Sequence, residues 1–392
     1  MISVDVVIFG GGIAGLWTLA QLTNAGYNAV LLETDALGSG QTIKSQGIIH
    51  GGLKYALTGS ISSAVAALQD MPTVWQQCLD GNGDINLSAA KVLSPCQHLW
   101  SVDRLTGGIT TLFASNSLKS QVAVTAKEQW PSVMQFSAIQ TKLYELAELV
   151  LDIPSVLHAL SAPYKDRCVK IDANNFSVET GSGENILHVN AQVNGIGVQF
   201  KAQKYIFTAG SGNQLLTKHL AAAPAMQVRP LQMVLVKAKN LLPLYGHCVG
   251  LNTTPRMTIT THMAHDNVPV WYLGGKIAEE GVQRTAAEQI DQTKSELRAI
   301  FPGLDISAAE YATFFIDRAE AKQSDGTKPT TTTMFSENNY ITAWPTKLAL
   351  APILAQQILD QLNADNVTPQ SSTWDGSLPQ AQIATPIWDQ LL

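Results

Sequence analysis

The sequence predicts an α/β protein whose first domain is built on a central parallel sheet, and three observations lead to this expectation. Residues 4–9 are a short β-branched apolar run, which is typical of a strand buried on both faces. A helical segment follows and extends to Asn24. A second apolar strand is expected over residues 29–33. Two buried strands joined by a helix form the βαβ unit from which parallel sheets are made.

Composition limits the classes of protein that remain. The chain has 392 residues, of which 45% are hydrophobic and 14% charged, so neither a disordered chain nor a coiled coil is expected. A net charge of −6 gives no global field that would attract nucleic acid. The four cysteines are far apart and form no C-x-x-C pair, so we predict reduced thiols and no metal site.

No transmembrane segment is expected. The most apolar long stretch, residues 143–160, is interrupted by Glu145, Glu148, Asp152 and Pro154. The apolar N-terminal residues lack the basic start of a signal peptide, because the first basic residue is Lys44. We therefore expect a cytoplasmic protein, and a peripheral contact with a membrane or a quinone is left open.

The turn between the first strand and the helix has the pattern G-x-G-x-x-G, formed by Gly10, Gly12 and Gly15. The first glycine permits a tight turn, the second lets a pyrophosphate approach the backbone, and the third lets the helix pack closely on the strand. The N–H groups at the helix start can hold phosphates. Glu33 ends the second strand, where a carboxylate can accept hydrogen bonds from a ribose. Together these features predict a dinucleotide site.

Residues 34–55 distinguish between dinucleotides. An NAD enzyme would continue with another helix and strand, whereas this segment is rich in glycine and small polar residues. Such a loop can pass beneath a flat ring system and donate backbone N–H groups to it. Residues 41–55 resemble the flavin-contacting loop of the D-amino-acid-oxidase-type FAD superfamily. Within them, residues 45–55 resemble the matching stretch of L-2-hydroxyglutarate dehydrogenases/oxidases and FAD-dependent glycerol-3-phosphate dehydrogenases, which share an Ile-His-(Ala/Gly)-Gly core.

Three later segments support the same resemblance. Residues 204–211 are similar to the family's second cofactor-domain strand, and residues 228–234 to its crossing into the substrate domain. Residues 340–352 are similar to its last strand, loop and helix. The chain departs from the family at residues 343–345, which are Ala-Trp-Pro where glycines are usual.

The resemblance implies FAD as cofactor and a discontinuous Rossmann-like FAD-binding domain at residues 1–90, 145–212 and 318–365. A mixed-sheet α+β substrate domain is inserted as residues 91–144 and 213–317. The tail, 366–392, is expected to pack on the body or on a partner subunit, because Trp374, Ile387 and Trp388 need to be buried. The inserts are predicted to contain strands at 92–100, 233–237, 257–261 and 268–274 and helices at 121–126 and 286–300, and a further helix at 61–79 is expected to kink at Pro72.

The residues predicted to bind FAD belong to the matched segments. They are Gly10, Gly12, Ile13, Ala14, Gly15, Glu33, Thr34, Gln41, Thr42, Ser45, Gln46, Gly47, Ile49, Ala209, Gly210, Thr346, Lys347 and Leu348.

Two predicted catalytic residues lie in these segments. His50 is a general base, a contact at the flavin edge or, as in some relatives, the site of a covalent flavin bond; otherwise it is a histidine that holds the loop. Lys347 stands at the start of the last helix, where its ammonium and the helix N–H groups could face the flavin C2=O. A solvated lysine is the alternative.

Further candidates lie in the predicted substrate domain and at its end. Strand alternation lets at most one of Thr261 and His262 face the site, and we take His262 as the catalytic candidate beside the nearby His265. For both, the alternative is a surface histidine or a hydrogen-bonded histidine of the core. An anionic substrate needs a fixed cation in a dry pocket. The candidates for this clamp are Arg318, the best placed, with Arg256, Arg229, Lys276 and Lys54.

The predicted activity is hydride transfer from the CH–OH carbon of a small anionic substrate, a 2-hydroxy acid or a polyol phosphate, to flavin N5. An amine or amino-acid substrate is the first alternative. The second is a flavin-binding protein without turnover, because a bulky Trp344 could close the flavin site. The sequence leaves open the electron acceptor, a covalent flavin link and the oligomeric state.

Overall fold

The computed structural model describes residues 1–51, 68–103, 122–139, 142–181, 184–218, 220, 223–250, 255–323, 329–370 and 372–392. The strands are β1 (Ile2–Phe9), β2 (Ala29–Glu33), β3 (Val92–Ser94), β4 (Gln97–Ser101), β5 (Val122–Val124), β6 (Tyr144–Leu146), β7 (Val150–Leu151), β8 (Cys168–Lys170), β9 (Phe176–Thr180), β10 (Ile186–Val193), β11 (Ile196–Phe207), β12 (Met226–Lys237), β13 (Gly246–Val249), β14 (Met257–Met263), β15 (Pro269–Gly274), β16 (Glu310–Ala321), β17 (Thr333–Glu337) and β18 (Tyr340–Trp344). The α-helices are α1 (Ile13–Asn24), α2 (Met71–Leu79), α3 (Ile153–Ser161), α4 (Asn213–Thr217), α5 (Lys276–Gly281), α6 (Ala286–Ile300), α7 (Ala351–Ala364) and α8 (Ile387–Leu391).

The first sheet contains the predicted βαβ unit and confirms the α/β fold class. Its order is β17-β18-β11-β1-β2-β8, and β18, β11, β1, β2 and β8 run parallel to one another. The apolar run of β1 is buried from Val4 to Phe9, as expected of a central strand. Helices α1 and α7 pack against each other beside this sheet. The carboxyl ends of the parallel strands therefore meet at one edge.

A hairpin extends the first sheet from the first half of β11. Strands β10 and β11 are antiparallel, and Asn194 and Gly195 form the two-residue turn between them. Both turn residues have positive φ, 50° and 77°, which a type I′ turn requires.

The second sheet is mixed, as predicted, and has the order β16-β12-β15-β14-β13-β4-β6-β5. Strands β13 and β4 pair in parallel, and the other neighbours are antiparallel. Strands β12 and β16 pair along their whole lengths. The boundary expected at residue 318 consequently falls inside β16, and the strand stays with the second sheet up to Ala321.

Three predicted elements differ from the structure. The helix expected at 121–126 is wrong, because Val122–Val124 is a strand that pairs with β6, while Gln121 lies outside the described residues. The strand expected at 92–100 is divided by Pro95, and its first half pairs with β7. Within the helix expected at 61–79, residues 61–67 lie outside the described part; residues 68–69 are helical, Asp70 is a turn, and Pro72 lies in the first turn of α2, where proline is tolerated.

The C-terminal residues pack on the body of the protein. Thr373 donates its backbone N–H to the carbonyl of Ser3, and Trp374 packs on the apolar side chains of the first sheet. Ile387 and Trp388 are buried with Met233 and Tyr272 of the second sheet. Throughout the described ranges, the structure contains no helix of the length and apolarity that a membrane crossing requires.

Candidate active site

A cavity of about 670 Å³ lies at the carboxyl ends of the parallel strands. Phe9, Leu32, Thr208 and Trp344 line it from the first sheet, and Met233 lines it from the second. Its volume falls within the usual range of ligand sites, and crevices at the carboxyl ends of parallel strands are where such folds bind ligands.

The glycine turn is shaped by close backbone contacts. Gly10 has φ +98°, and a Cβ there would lie 2.5 Å from Ala209 Cα. A Cβ on Gly15 would lie 1.9 Å from the carbonyl oxygen of Gly10. Both distances are far below van der Waals contact, so only glycine permits this turn and the close packing of α1 on β1. Gly12 faces the cavity, as predicted.

Glu33 connects the turn to the end of β2. Its Oε2 accepts a hydrogen bond from the Gly11 N–H at 2.6 Å, and its Oε1 accepts one from the Asp35 N–H at 2.8 Å. The carboxylate also lines the cavity. Each carboxylate oxygen can accept a second hydrogen bond, so Glu33 can also receive ribose hydroxyls.

The loop after Glu33 is fixed to both sheets. The Thr42 hydroxyl accepts a hydrogen bond from the Ile13 N–H at 3.0 Å, which attaches the loop to the start of α1. The Gln46 amide donates to the Tyr272 carbonyl at 2.8 Å, and the Tyr272 hydroxyl donates to the Lys44 carbonyl. The loop thus forms one cavity wall with little freedom to move.

The opposite wall contains the segment that departs from the family's glycines. Trp344 is buried, and its indole N–H donates to the Gly210 carbonyl at 3.1 Å. The ring is therefore part of the wall, and the cavity remains open beside it. Thr346 has φ +65°, which is rare for a β-branched residue, and its hydroxyl donates to the Thr331 carbonyl at 2.8 Å. This hydrogen bond helps to hold a backbone conformation that glycine would adopt without strain.

Most of the residues predicted to bind FAD line this cavity. Those that line it are Gly10, Gly12, Ile13, Ala14, Glu33, Thr34, Gln41, Thr42, Ser45, Gln46, Ala209, Gly210, Thr346, Lys347 and Leu348.

Gly15, Gly47 and Ile49 do not line it. Gly15 faces the backbone of Gly10, as its packing role requires. Gly47 packs so closely on β7 that a Cβ on it would lie 2.1 Å from the Leu151 carbonyl oxygen. Ile49 is completely buried in the apolar core. Gly47 and Ile49 therefore fix the loop instead of contacting the cavity.

The two cationic residues predicted for this site, Lys347 and Arg318, both lie in the cavity wall. The Lys347 ammonium also donates to the Thr330 carbonyl at 3.2 Å, and the Arg318 Nε–H donates to the Arg229 carbonyl at 3.4 Å. Lys44 is a third cation in the wall, which the sequence reasoning did not select although it belongs to the predicted loop.

His262 does not reach this cavity, and we no longer assign it a catalytic role. Its ring is stacked on Trp388, with the ring centroids 4.3 Å apart, and its Nε2 lies 3.0 Å from the Thr260 hydroxyl. Burial lowers the pKa of His262 to about 3, so the side chain is neutral at physiological pH. Strand alternation places the His262 side chain on one face of the second sheet, and α8 covers that face through Trp388.

The remaining candidate cations have structural partners. Arg229 forms an ion pair with Glu320, Arg256 with Glu296, and Lys276 with Glu280 at 3.3 Å. His265 is exposed and lies 3.2 Å from Asp389. Lys54 lies outside the described residues, as do residues 52–55 of the predicted flavin loop.

His50 itself is not among the residues that line the cavity. It belongs to a cluster that the sequence did not reveal. Its Nδ1 lies 3.2 Å from Oε2 of Glu148, and its ring is stacked near that of His247 with the centroids 6.1 Å apart. Among the described residues, these three side chains are also the group whose ligand atoms are close enough to hold a metal ion. No local pattern could have identified Glu148, because it is 98 positions from His50 along the chain.

Comparisons with known proteins agree with this geometry. Residues 5–326 match the DAO family of FAD-dependent oxidoreductases. A probable FAD-dependent oxidoreductase of Pseudomonas aeruginosa is 40% identical over 99% of this chain and 98% of its own. The crystal structure of an FAD-dependent oxidoreductase from that organism superposes with a TM-score of 0.85, at 36% identity over 99% of this chain and 98% of the other.

More distant structures share the fold alone. An FAD-bound L-α-glycerophosphate oxidase from Mycoplasma pneumoniae has a TM-score of 0.65 at 16% identity, covering 97% of this chain and 100% of its own. A glycine oxidase from Geobacillus kaustophilus also has a TM-score of 0.65, at 13% identity, covering 96% and 98%.

The chain belongs to the DAO family and is an FAD-dependent oxidoreductase. The predicted family, enzyme class and cofactor are thereby confirmed. A flavin-binding protein without turnover is no longer the appropriate description.

Proposed function

We propose that this enzyme oxidises the CH–OH carbon of a small anionic substrate, such as a 2-hydroxy acid or a polyol phosphate. Bound FAD would supply a two-electron acceptor at N5, which takes the hydride from that carbon. The residues of the cavity wall would bind the cofactor, attract the substrate and orient it.

The residues that line the cavity support one direction for bound FAD. Glu33 and Asp35 stand at the end where the carboxylate can accept the ribose hydroxyls. Gly10 and Gly12 line the cavity at the start of α1, where the helix N–H groups could hold the diphosphate. The flavin ring would then lie between the loop at Gln46 and the wall at Leu348, with the backbone N–H groups of the latter segment near the ring's C2=O.

The charges at the ring end of the cavity carry the proposal of an anionic substrate. Lys44, Arg318 and Lys347 line the cavity, as does the acidic Asp317. An arginine guanidinium holds a carboxylate or a phosphate through two parallel hydrogen bonds. We therefore assign Arg318 to the substrate's anionic group and Lys347 to the flavin C2=O.

His50 supports an alcohol as the group that is oxidised. A hydroxyl group must lose its proton as the hydride leaves, and a neutral imidazole is the usual acceptor for such a proton. An amine that is already neutral needs no base for the same step. The loop that carries His50 lines the cavity through Ser45 and Gln46, a few positions before His50 in the chain.

Reduction of the flavin under anaerobic conditions tests the substrate class. We expect 2-hydroxy acids or polyol phosphates to bleach the absorption of the purified holoenzyme and amino acids to leave it unchanged. Bleaching by amino acids alone would favour the amine alternative. Release of the chromophore by acid would show in the same preparation that His50 carries no covalent flavin.

The substitution Arg318→Met tests the proposed anion clamp. Loss of a charge-assisted hydrogen bond, worth about 1.5–3 kcal/mol, should raise the substrate concentration for half-maximal reduction by about 10–150-fold. Arg298→Met is the matched control, because Arg298 is exposed in the last turn of α6. An equal effect of both substitutions would contradict the clamp.

A further inference from the structure

We propose that Glu148 is a positioning residue for His50, holding its imidazole in the tautomer that carries hydrogen on Nδ1 and presents Nε2 as a proton acceptor. The inference rests on the proposed role of His50 as the base in alcohol oxidation. It assigns a task to a buried carboxylate that lies far from the flavin loop in sequence.

The contacts of Glu148 leave one arrangement of protons. Its Oε1 accepts a hydrogen bond from the Gly51 N–H at 2.9 Å, and its Oε2 faces His50 Nδ1 at 3.2 Å. An ionised carboxylate is only an acceptor, so the hydrogen between Glu148 and His50 belongs to Nδ1. The neutral ring then has its lone pair on Nε2.

Glu148 is ionised although it is buried. Its side chain is 6% exposed, against 37% for His50. Burial alone would raise the pKa of Glu148, but the hydrogen bonds from His50 and Gly51, with the positive charge that His50 and His247 carry when protonated, lower it below its ordinary value. A buried charge persists only where such partners surround it. The pair therefore has the arrangement of a general base whose orientation is fixed by a carboxylate.

His247 connects this pair to the cavity wall. Its ring lies nearly parallel to that of His50, at an interplanar angle of 24°, and its Nδ1 is 2.9 Å from the Thr258 hydroxyl. The carbonyl of Thr258 in turn accepts a hydrogen bond from the amide of Gln46 at 3.5 Å, and Gln46 lines the ring end of the cavity. His50 thus lies between Glu148 and His247, and His247 is linked through Thr258 to Gln46 in the cavity wall.

The chemical step balances with the family's own cofactor as oxidant. The substrate's O–H bond breaks and its proton moves to His50 Nε2. The C–H electron pair leaves as hydride to FAD, and the carbon–oxygen bond becomes a carbonyl. Glu148 gains no proton in this step; it stabilises the imidazolium that forms and keeps Nε2 directed at the substrate.

The substitution Glu148→Gln should reverse the tautomer. If the glutamine oxygen keeps the hydrogen bond from Gly51, its NH₂ group faces His50 and donates to Nδ1, so that the hydrogen moves to Nε2. Nε2 can then no longer accept the substrate's proton. We expect flavin reduction to slow by about 10²–10⁴-fold, the usual contribution of a general base, with little change in the substrate concentration for half-maximal reduction.

Nitrogen NMR of the ¹⁵N-histidine-labelled, FAD-loaded protein measures the tautomer directly, with the His50 signals assigned from a His50→Asn variant. The wild type should show Nδ1–H at His50, and Glu148→Gln should show Nε2–H. Glu145→Gln is the control, because Glu145 is an exposed carboxylate three positions away in β6. It should leave both the tautomer and the reduction rate unchanged.

Several outcomes would overturn the proposal. One is Nε2–H at His50 in the wild type, a result that needs no variant to fold. Another is a slow Glu148→Gln enzyme whose His50 tautomer is unaltered, which would indicate a merely structural role. A third is one equivalent of divalent metal in the wild type that is lost in Glu148→Gln, which would make the three side chains a metal site. If the tautomers behave as expected but hydroxy substrates leave the flavin oxidised, the proposed function fails while the positioning of His50 stands.

Discussion

Two single residues determine how closely α1 can approach β1 at the glycine turn. Gly10 and Gly15 touch across the start of α1, and the room left by a missing Cβ is what allows the helix to begin directly behind β1. The positive dipole end of the helix is thereby aimed at the cavity, where the diphosphate would bind.

The substitution Gly15→Ala should weaken both folding and FAD retention. The added Cβ would meet the Gly10 carbonyl at 1.9 Å, so strand and helix must separate. Overpacking of this kind costs about 1–3 kcal/mol, which should appear as a lower midpoint of chemical unfolding and a larger dissociation constant for FAD. Gly197→Ala is the control, because nothing lies within 4 Å of that position. Equal behaviour of the two variants would contradict the assigned contact.

The two paired strands β12 and β16 carry one arginine with a structural role and one that lines the cavity. Arg229 and Arg318 are cross-strand neighbours on these strands. Arg229 pairs with the buried Glu320, whereas Arg318 lines the cavity. Burial alone would raise the pKa of Glu320, but the hydrogen bonds from Arg229 and Gln227 lower it.

The substitution Arg229→Met should therefore destabilise the protein in a pH-dependent way. Because the folded-state pKa of Glu320 is lowered, its contribution to stability is present at neutral pH and is lost as the pH falls below the ordinary glutamate range. We expect a loss of about 2 kcal/mol in the free energy of unfolding at pH 7 that shrinks on acidification, measured by urea titration at several pH values. Lys239→Met, which removes an exposed charge, should show no such trend. A loss that is independent of pH would argue against the ion pair.

For the molecule as a whole, the C-terminal residues support the cavity from behind. Trp388 is buried against His262, Met233 and Tyr272. Met233 lines the cavity, and the Tyr272 hydroxyl holds the loop at Lys44. The last helix is therefore connected through one layer of side chains to the walls that would hold the flavin.

The substitution Trp388→Ala should remove this support. Truncation of a buried tryptophan costs about 3–5 kcal/mol, so the unfolding midpoint should fall and FAD should dissociate more readily. Leu391→Ala in the same helix is the control, because that side chain is 43% exposed and should change stability little. Unchanged stability of Trp388→Ala would mean that α8 contributes nothing to the fold.

The sequence alone determined the βαβ unit and the glycine turn, and most of the residues that it predicted to bind FAD line the cavity. These features are local: the alternation of strand, turn and helix within a few tens of residues fixes which backbone groups meet, whatever the rest of the chain does. The resemblance of residues 41–55 to a flavin loop pointed to the cofactor for the same reason, because it rests on one contiguous segment, in which Gln41, Thr42, Ser45 and Gln46 line the cavity.

Only the tertiary structure decided which distant side chains meet. Glu148 reaches His50, and Trp388 covers His262, because sheet order and the path of the tail bring together segments about a hundred residues or more apart. Ile49 turned into the core for a similar reason, since its neighbours are Leu149 and Leu151 rather than the residues next to it in sequence. Strand alternation predicts two possible faces for such a side chain, and the packing of other elements determines what each face contacts.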